Sequence, residues 1–130
     1  MKYALPLMAA ILLQSACSPD ETISGYADPS ATYRLTTLNG VAFTDRATIQ
    51  FPEAGKIIGS GPCNSYQTTQ TMPYPWFEIG PIASTRMACP ASSAETTFFQ
   101  TLAAMSFAEA AGQVLLLTNS DGMEMVFQAE

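Results

Sequence analysis

Two cysteines bracket the segment that most restricts what this chain can fold into. Gly59-Ser60-Gly61-Pro62-Cys63-Asn64-Ser65-Tyr66 opens it, and Ile79-Gly80-Pro81-Ile82-Ala83-Ser84-Thr85-Arg86-Met87-Ala88-Cys89 closes it. In an oxidising compartment an even count of cysteines defaults to a disulfide, so Cys63 is expected to pair with Cys89. Closing a loop of that length stabilises a fold by roughly 3.5 kcal/mol in the chain-entropy account. Two free thiols are the alternative. A metal site is the weakest reading, because the chain has no histidine and no Cys-x-x-Cys pair, and two thiolates do not complete a tetrahedral zinc site. No metal and no cofactor are expected.

The even count holds only if the third cysteine, Cys17, is used elsewhere. Lys2 supplies a positive start, Ala4 to Leu13 an apolar run, and Gln14-Ser15-Ala16 a small-residue approach to Cys17, so residues 1–16 read as an export signal peptide. The run is too short to span a bilayer, which takes roughly 20 apolar residues, and it contains Pro6. Ser15-Ala16-Cys17 resembles a lipobox, with Gln14 where leucine is usual. On that reading Cys17 is the lipidation site and becomes the acylated N-terminus; on the other, an ordinary signal peptidase releases a soluble periplasmic protein. Ser18 stands where aspartate would resemble an inner-membrane retention signal, which implies the periplasmic face of the outer membrane. Each buried methylene of an acyl chain is worth roughly 0.8 kcal/mol, so more than one chain anchors stably.

Without the leader, Arg34, Arg46, Lys56 and Arg86 face eleven carboxylates, a net charge of −7. That balance argues against nucleic acid, which needs a basic face, and against direct binding to an anionic lipid surface. Membrane association is expected only through the lipid anchor. Residues 17–32, with their prolines, acids and small side chains, read as the lipidated cysteine and a flexible tether. Residues 33–130 remain as one domain, large enough to bury a single core.

The punctuation from Tyr33 onward is that of a sheet. Tyr33 to Leu38 is a predicted strand closed by Asn39-Gly40. Ile49 and Phe51 share a face of a second strand that ends at Pro52-Glu53-Ala54-Gly55, and Lys56 to Gly61 returns as its hairpin partner. Asn64 to Thr71 and Trp76 to Ile79 are the fourth and fifth strands, separated by Pro73 and Pro75, with the aromatics there assigned to the core rather than to a ligand cage. The period then changes. Ser92 or Ser93 caps a helix, Ser92 and Glu95 have capping-box spacing, and Phe98, Phe99, Leu102 and Met105 recur at helical spacing. A strand ending near Ala110, the run Val114 to Leu117, the turn Asn119-Ser120-Asp121-Gly122 and a last strand with Met123, Met125 and Phe127 on one face complete a β-rich α+β domain.

The opening aromatic strand, the glycine turn before Cys63-Asn64, the Ser84-Thr85-Arg86-Met87-Ala88-Cys89 block, the glutamate-led helix and the Leu-rich closing hairpin together resemble the META domain, the HslJ-like family, from about Tyr33 to Gln128. Tyr33 stands where the family usually has tryptophan, Pro62 separates the glycine from Cys63, and Gln67-Thr68-Thr69 lacks a common glycine. The resemblance implies a small, often lipid-anchored envelope protein. Its implied fold is an antiparallel, partly open (cracked) barrel of about seven to eight short strands with one helix packed on it, which is also similar to the lipoprotein pilots of secretin channels. It implies no catalytic residue.

No enzyme is expected from the residues either. Without histidine the usual Ser-His and Cys-His pairings are absent. A Ser-Lys variant would need Lys56, expected at a solvated edge, and Glu53, Glu78 and Glu95 lie in different elements. Gly59-Ser60-Gly61 leads into Pro62 and a strand rather than a helix N-terminus, so it is not read as a phosphate cradle. The chain is expected to be a non-catalytic, stress-associated or binding module that meets an envelope protein through Asn64, Tyr66, Thr85, Arg86 and Met87. Arg86 has two readings: a guanidinium presented to a partner carboxylate, or an internal clamp of its own loop. The runner-up function is carriage of an apolar ligand or lipid in the open barrel, lined by Phe51, Trp76, Phe98, Leu102 and Met125. If Cys17 is acylated, Cys17→Ala should shift the protein from the detergent-extracted membrane fraction to the soluble periplasm or leave the leader uncut. A free, unblocked wild-type N-terminus in the soluble fraction would remove the anchor.

Overall fold

The computed structural model of the protein describes residues 19–89 and 93–130, so the leader, Cys17 and the Ser92 half of the capping box lie outside the described residues. Alternation along the chain produces the first strand, β1 (Tyr33–Leu38), which buries Tyr33 and Leu35. Asn39 at φ 51° and Gly40 at φ 77° form the left-handed pair that a two-residue hairpin demands. The chain returns through them as the short β2 (Val41–Ala42).

The second hairpin is β3 (Thr48–Glu53) and β4 (Gly55–Ser60). Ile49 and Phe51 do share the buried face, but β3 continues through Pro52 instead of stopping there. Its register against β4 shifts between Gln50 and Glu53, and such a bulge tolerates a residue with no N–H to offer the ladder. Beyond β4 come β5 (Ser65–Gln70), the two-residue β6 (Ala83–Ser84), the helix α1 (Ser93–Ala103), and β7 (Phe107–Ala111), β8 (Val114–Thr118) and β9 (Glu124–Ala129). The strands form a nine-stranded antiparallel sheet, β6-β5-β4-β3-β1-β9-β8-β7, with β2 added on β1; the sheet is not closed on itself, and α1 packs against it.

The expected fifth strand, Trp76 to Ile79, is a correction: it makes only isolated bridges, Gln70 with Ile79 and Trp76 with Phe107. Pro73 and Pro75 deny it a donor ladder. The side chain of buried Gln70 supplies bonds in its place, accepting from Met72 N at 2.8 Å and donating to Met72 O at 3.0 Å. The segment meets the exposed edge of β7 through Phe77 N to Ser106 O (2.9 Å), Ala108 N to Pro75 O (2.8 Å) and Ala110 N to the Tyr74 hydroxyl (3.1 Å). It therefore spans the gap between the two ends of the sheet and satisfies β7's outward amides, which an edge strand would otherwise leave open.

Phe51, Phe98, Leu102 and Met125 are fully buried in one continuous core. Four of the five residues offered as a carrier lining thus fill the interior with their own side chains. Trp76, the fifth, is 50% exposed, so the expectation that the aromatics of its segment belong to the core holds for Phe77 and fails for Trp76. The proline turn at Pro75 sends alternate side chains outward and inward here.

The tether is a second correction. From Asp20 onward the chain is docked: a 3₁₀ turn at Ile23–Gly25 buries Ile23 to 2% exposure, and Ser24 and Ala27 are buried as well. Asp20 accepts from Thr22 N (2.9 Å), Thr22 Oγ1 (2.6 Å) and Ser24 Oγ, and Tyr74 N donates to Glu21 O at 2.7 Å. Burial raises the pKa of Asp20, but the bonds from Ser24 and Thr22 prevail and hold it below the ordinary carboxylate range. This contribution is present at neutral pH and is lost as pH falls through the lowered value. Ile23→Ala should cost about 2–4 kcal/mol in chemical denaturation, the usual range for truncating a buried isoleucine. A variant as stable as wild type would restore the free tether.

Candidate functional site

The cysteine-bracketed segment meets the start of α1 at one carboxylate. Glu95, in the first turn of the helix and only 8% exposed, reaches the turn after β4. Its Oε1 accepts from Asn64 N at 2.6 Å and Cys63 N at 3.2 Å, and its Oε2 from Asn64 Nδ2 at 2.9 Å. The turn is closed by Gly61 N donating to Asn64 O at 2.7 Å. Gly61 is required by this approach, since a Cβ there would stand 2.6 Å from Glu95 Oε1. The glycine turn does hold an anion on its backbone amides, and that anion is the chain's own. Glu95 is therefore committed to the turn across the domain, a role that capping-box spacing does not suggest.

Asn64 passes this constraint on. Its Nδ2 and backbone N–H face Glu95, while its Oδ1 accepts from Thr85 Oγ1 at 2.9 Å and from Met87 N at 2.7 Å. Thr85 N also donates to Ser65 O at 3.0 Å, continuing the pairing of β5 with β6. Cys63 and Cys89 are joined as a disulfide with their Cα atoms 6.1 Å apart, the pairing expected from the cysteine count. The loop from Ser84 to Cys89 is thus tied by three hydrogen bonds, two from its backbone and one from the Thr85 hydroxyl, and by one covalent bridge.

The five residues expected to form one binding surface divide into two sets. Tyr66 is a correction: it is buried, its hydroxyl donates to Thr48 O at 2.7 Å, and its ring meets Phe98 and Phe99 edge-on at 5.7 and 5.3 Å. Burial pushes its phenol well above the usual range. Asn64 is also buried and acts as scaffold. Thr85, Arg86 and Met87 are exposed, Met87 at 62%. Among the described residues Arg86 makes no ion pair, so the internal clamp of this loop is the Asn64–Glu95 pair and not the guanidinium. Sequence spacing alone has no means of distinguishing the two, because Asn64 and Glu95 belong to elements 31 residues apart.

The groups weighed for catalysis are separated. Lys56 lies 3.8 Å from Glu53 on the solvent side of the β3–β4 hairpin, Glu78 is exposed in the segment after β5, and Glu95 is committed to its amides. Among the described residues no group of three or more His, Cys, Asp or Glu side chains comes together. A shallow groove of about 320 Å³ runs along β4, β5 and β6, lined by Ile58, Gln67, Ala83, Ser84 and Thr85, and so opens beside the exposed loop.

Glu95→Gln retains volume but turns an amide toward donors, and should cost about 1.5–3 kcal/mol, the range for a hydrogen-bonded buried charge. Asn64→Ala should speed hydrogen exchange at the Met87 amide. Because the two side chains share bonds, the double variant should be less destabilised than the sum of the singles by at least ~0.5 kcal/mol. Strict additivity in denaturant titrations would show that they act independently.

Two solved structures share the fold. One, an NMR structure of a protein from Burkholderia xenovorans, is 17% identical with a TM-score of 0.63, over 81% of this chain and 83% of that one. Another NMR structure is 19% identical with a TM-score of 0.60, over 77% of this chain and 89% of that one. Identity this low speaks for the fold alone. No curated protein shows significant sequence similarity to the chain. The family model of the META domain, however, matches residues 28–130, which takes in every strand from β1 to β9 and the helix α1 and leaves only the 3₁₀ turn at Ile23–Gly25 outside; the chain belongs to the META domain family.

Proposed function

We propose that this META-domain chain is a non-catalytic module of the bacterial envelope, held by acylated Cys17 at the periplasmic face of the outer membrane, that binds a protein partner through the Thr85-Arg86-Met87 loop. One observation carries this reading: the loop backbone is fixed by Asn64, Ser65 and the disulfide, while Arg86 and Met87 project into solvent. A loop ordered before binding loses little conformational entropy on association. An arginine beside an exposed methionine offers a planar five-donor fork next to an adaptable apolar contact, and arginine is enriched among the residues that dominate interfaces. The acidic balance of the chain makes Arg86 a local exception, suited to a partner carboxylate or peptide terminus.

The absence of histidine from the whole sequence and the separation of its candidate acids and bases support a binding role over a catalytic one. The carrier reading loses most of its lining, because Phe51, Phe98, Leu102 and Met125 are themselves core side chains. Crosslinking in intact envelopes followed by capture of the protein should recover a partner. Arg86→Ala should weaken that capture by roughly 30-fold or more, as for a central interface arginine, while the melting temperature stays within a few degrees of wild type. Unfolding of the variant, or undiminished capture, would place the binding surface elsewhere.

A further inference from the structure

A second exposed feature lies away from the Arg86 loop, where the docked N-terminal segment crosses the end of the sheet. Tyr26, 56% exposed, stacks on Tyr74 with ring centroids 4.1 Å apart and planes 12° apart. Trp76 leans on Phe107 at 5.0 Å. Between the two pairs an open groove of about 370 Å³ is lined by Tyr74, Pro75, Phe107, Glu109 and Leu116. The backbone beneath is fixed by the bonds of Pro75 and Tyr74 to β7, so these rings are held outward by rigid elements.

We infer that this aromatic patch is a membrane-interface contact that seats the domain on zwitterionic lipid headgroups beside its own anchor. The inference rests on the acylation of Cys17. Asp20, where docking begins, is three chain steps from Cys17, and a fully extended chain advances at most about 3.6 Å per residue, so the anchor reaches at most ~11 Å from the domain. That reach exceeds one headgroup layer by only a few ångströms, since the polar regions add about 10–15 Å in total, roughly 5–7.5 Å per leaflet, to a hydrocarbon core of about 30 Å. The anchor therefore presses this end of the domain, and not the Arg86 loop by any requirement of chain length, against the interface. Tyrosine and tryptophan favour that depth, where an apolar ring and a polar tip are each satisfied. Asp20 and Glu21, in the docked segment that also carries Tyr26, and Glu109 in the groove repel anionic lipid, which selects zwitterionic headgroups.

Trp76 is the only tryptophan in the chain, so intrinsic fluorescence reads this patch directly. Protein purified from envelopes is reconstituted in phosphatidylcholine vesicles, with or without lipid brominated on the acyl chains near the headgroup, and its mass is measured for acyl chains. Brominated lipid should quench Trp76 at least twofold, Tyr26→Ser should reduce that quenching, and anionic phosphatidylglycerol vesicles should quench less than phosphatidylcholine. An acylated protein whose emission is the same in both vesicles overturns the patch and leaves the anchor standing. If the mass shows no acyl chain, the anchor reading falls, and the protein is coupled through the Cys17 thiol to a maleimide-headed lipid. Quenching of the coupled protein then supports the patch, and unchanged emission overturns it. Emission quenched only after a second protein is added, and not by lipid, assigns the patch to a protein partner and overturns the lipid contact.

Discussion

A buried carboxylate that forms no ion pair among the described residues organises this domain. Removing Glu95 from water is costly, and the cost is offset only where N–H donors converge on it. Cys63 N, Asn64 N and Asn64 Nδ2 do so, at the N-terminal turn of a helix whose dipole also favours negative charge. The bond network joins three pieces of chain that have no local reason to meet: the β4–β5 turn, the loop before α1 and the helix itself. The disulfide between Cys63 and Cys89 then constrains the same junction covalently. Exposure of Arg86 and Met87 follows from this, because the loop's own backbone needs are met from inside by Asn64.

The opposite end of the sheet faces a different problem, two edges that no strand joins. The segment from Gln70 to Ile79 spans them with side chains and isolated bridges, and its prolines make a regular ladder unattainable. One consequence is structural, the protection of the β7 edge. Another is chemical: the segment turns Trp76 outward while the next residue, Phe77, enters the core. The docked N-terminal segment adds Tyr26 to this surface by stacking on Tyr74. Two exposed regions with different chemistry result, a cationic loop tied to the helix and an aromatic face beside the start of the domain.

Local pattern in the sequence made much of this fold legible. Alternation at Ile49 and Phe51, and at Met125 and Phe127, has one physical solution, a strand with one face in the core. Asn39-Gly40 satisfies a hairpin that few dipeptides can, and Phe98 and Leu102 mark the buried side of a helix. Local pattern failed where a residue's role depends on a distant partner. Ile23 lies in a composition typical of tethers, yet it packs into the assembled core. Tyr66 in the polar strand β5 and Asn64 in the turn before it lie in a sequence that resembles a surface, but packing by Phe98 and bonding by Glu95 draw them inward.

Composition, periodicity and turn chemistry by themselves determined a β-rich domain with one helix, its hairpins, the pairing of Cys63 with Cys89 and the distinctive Thr85-Arg86-Met87 block, because each depends on residues close in sequence or on chemistry available to few residue types. Only the tertiary structure decided which polar residues of that block serve the scaffold and which face solvent, and which aromatics leave the core. A hydrogen-bond acceptor 31 residues away and the open ends of a sheet are properties of three-dimensional assembly, and no periodicity within a strand or helix encodes where they fall.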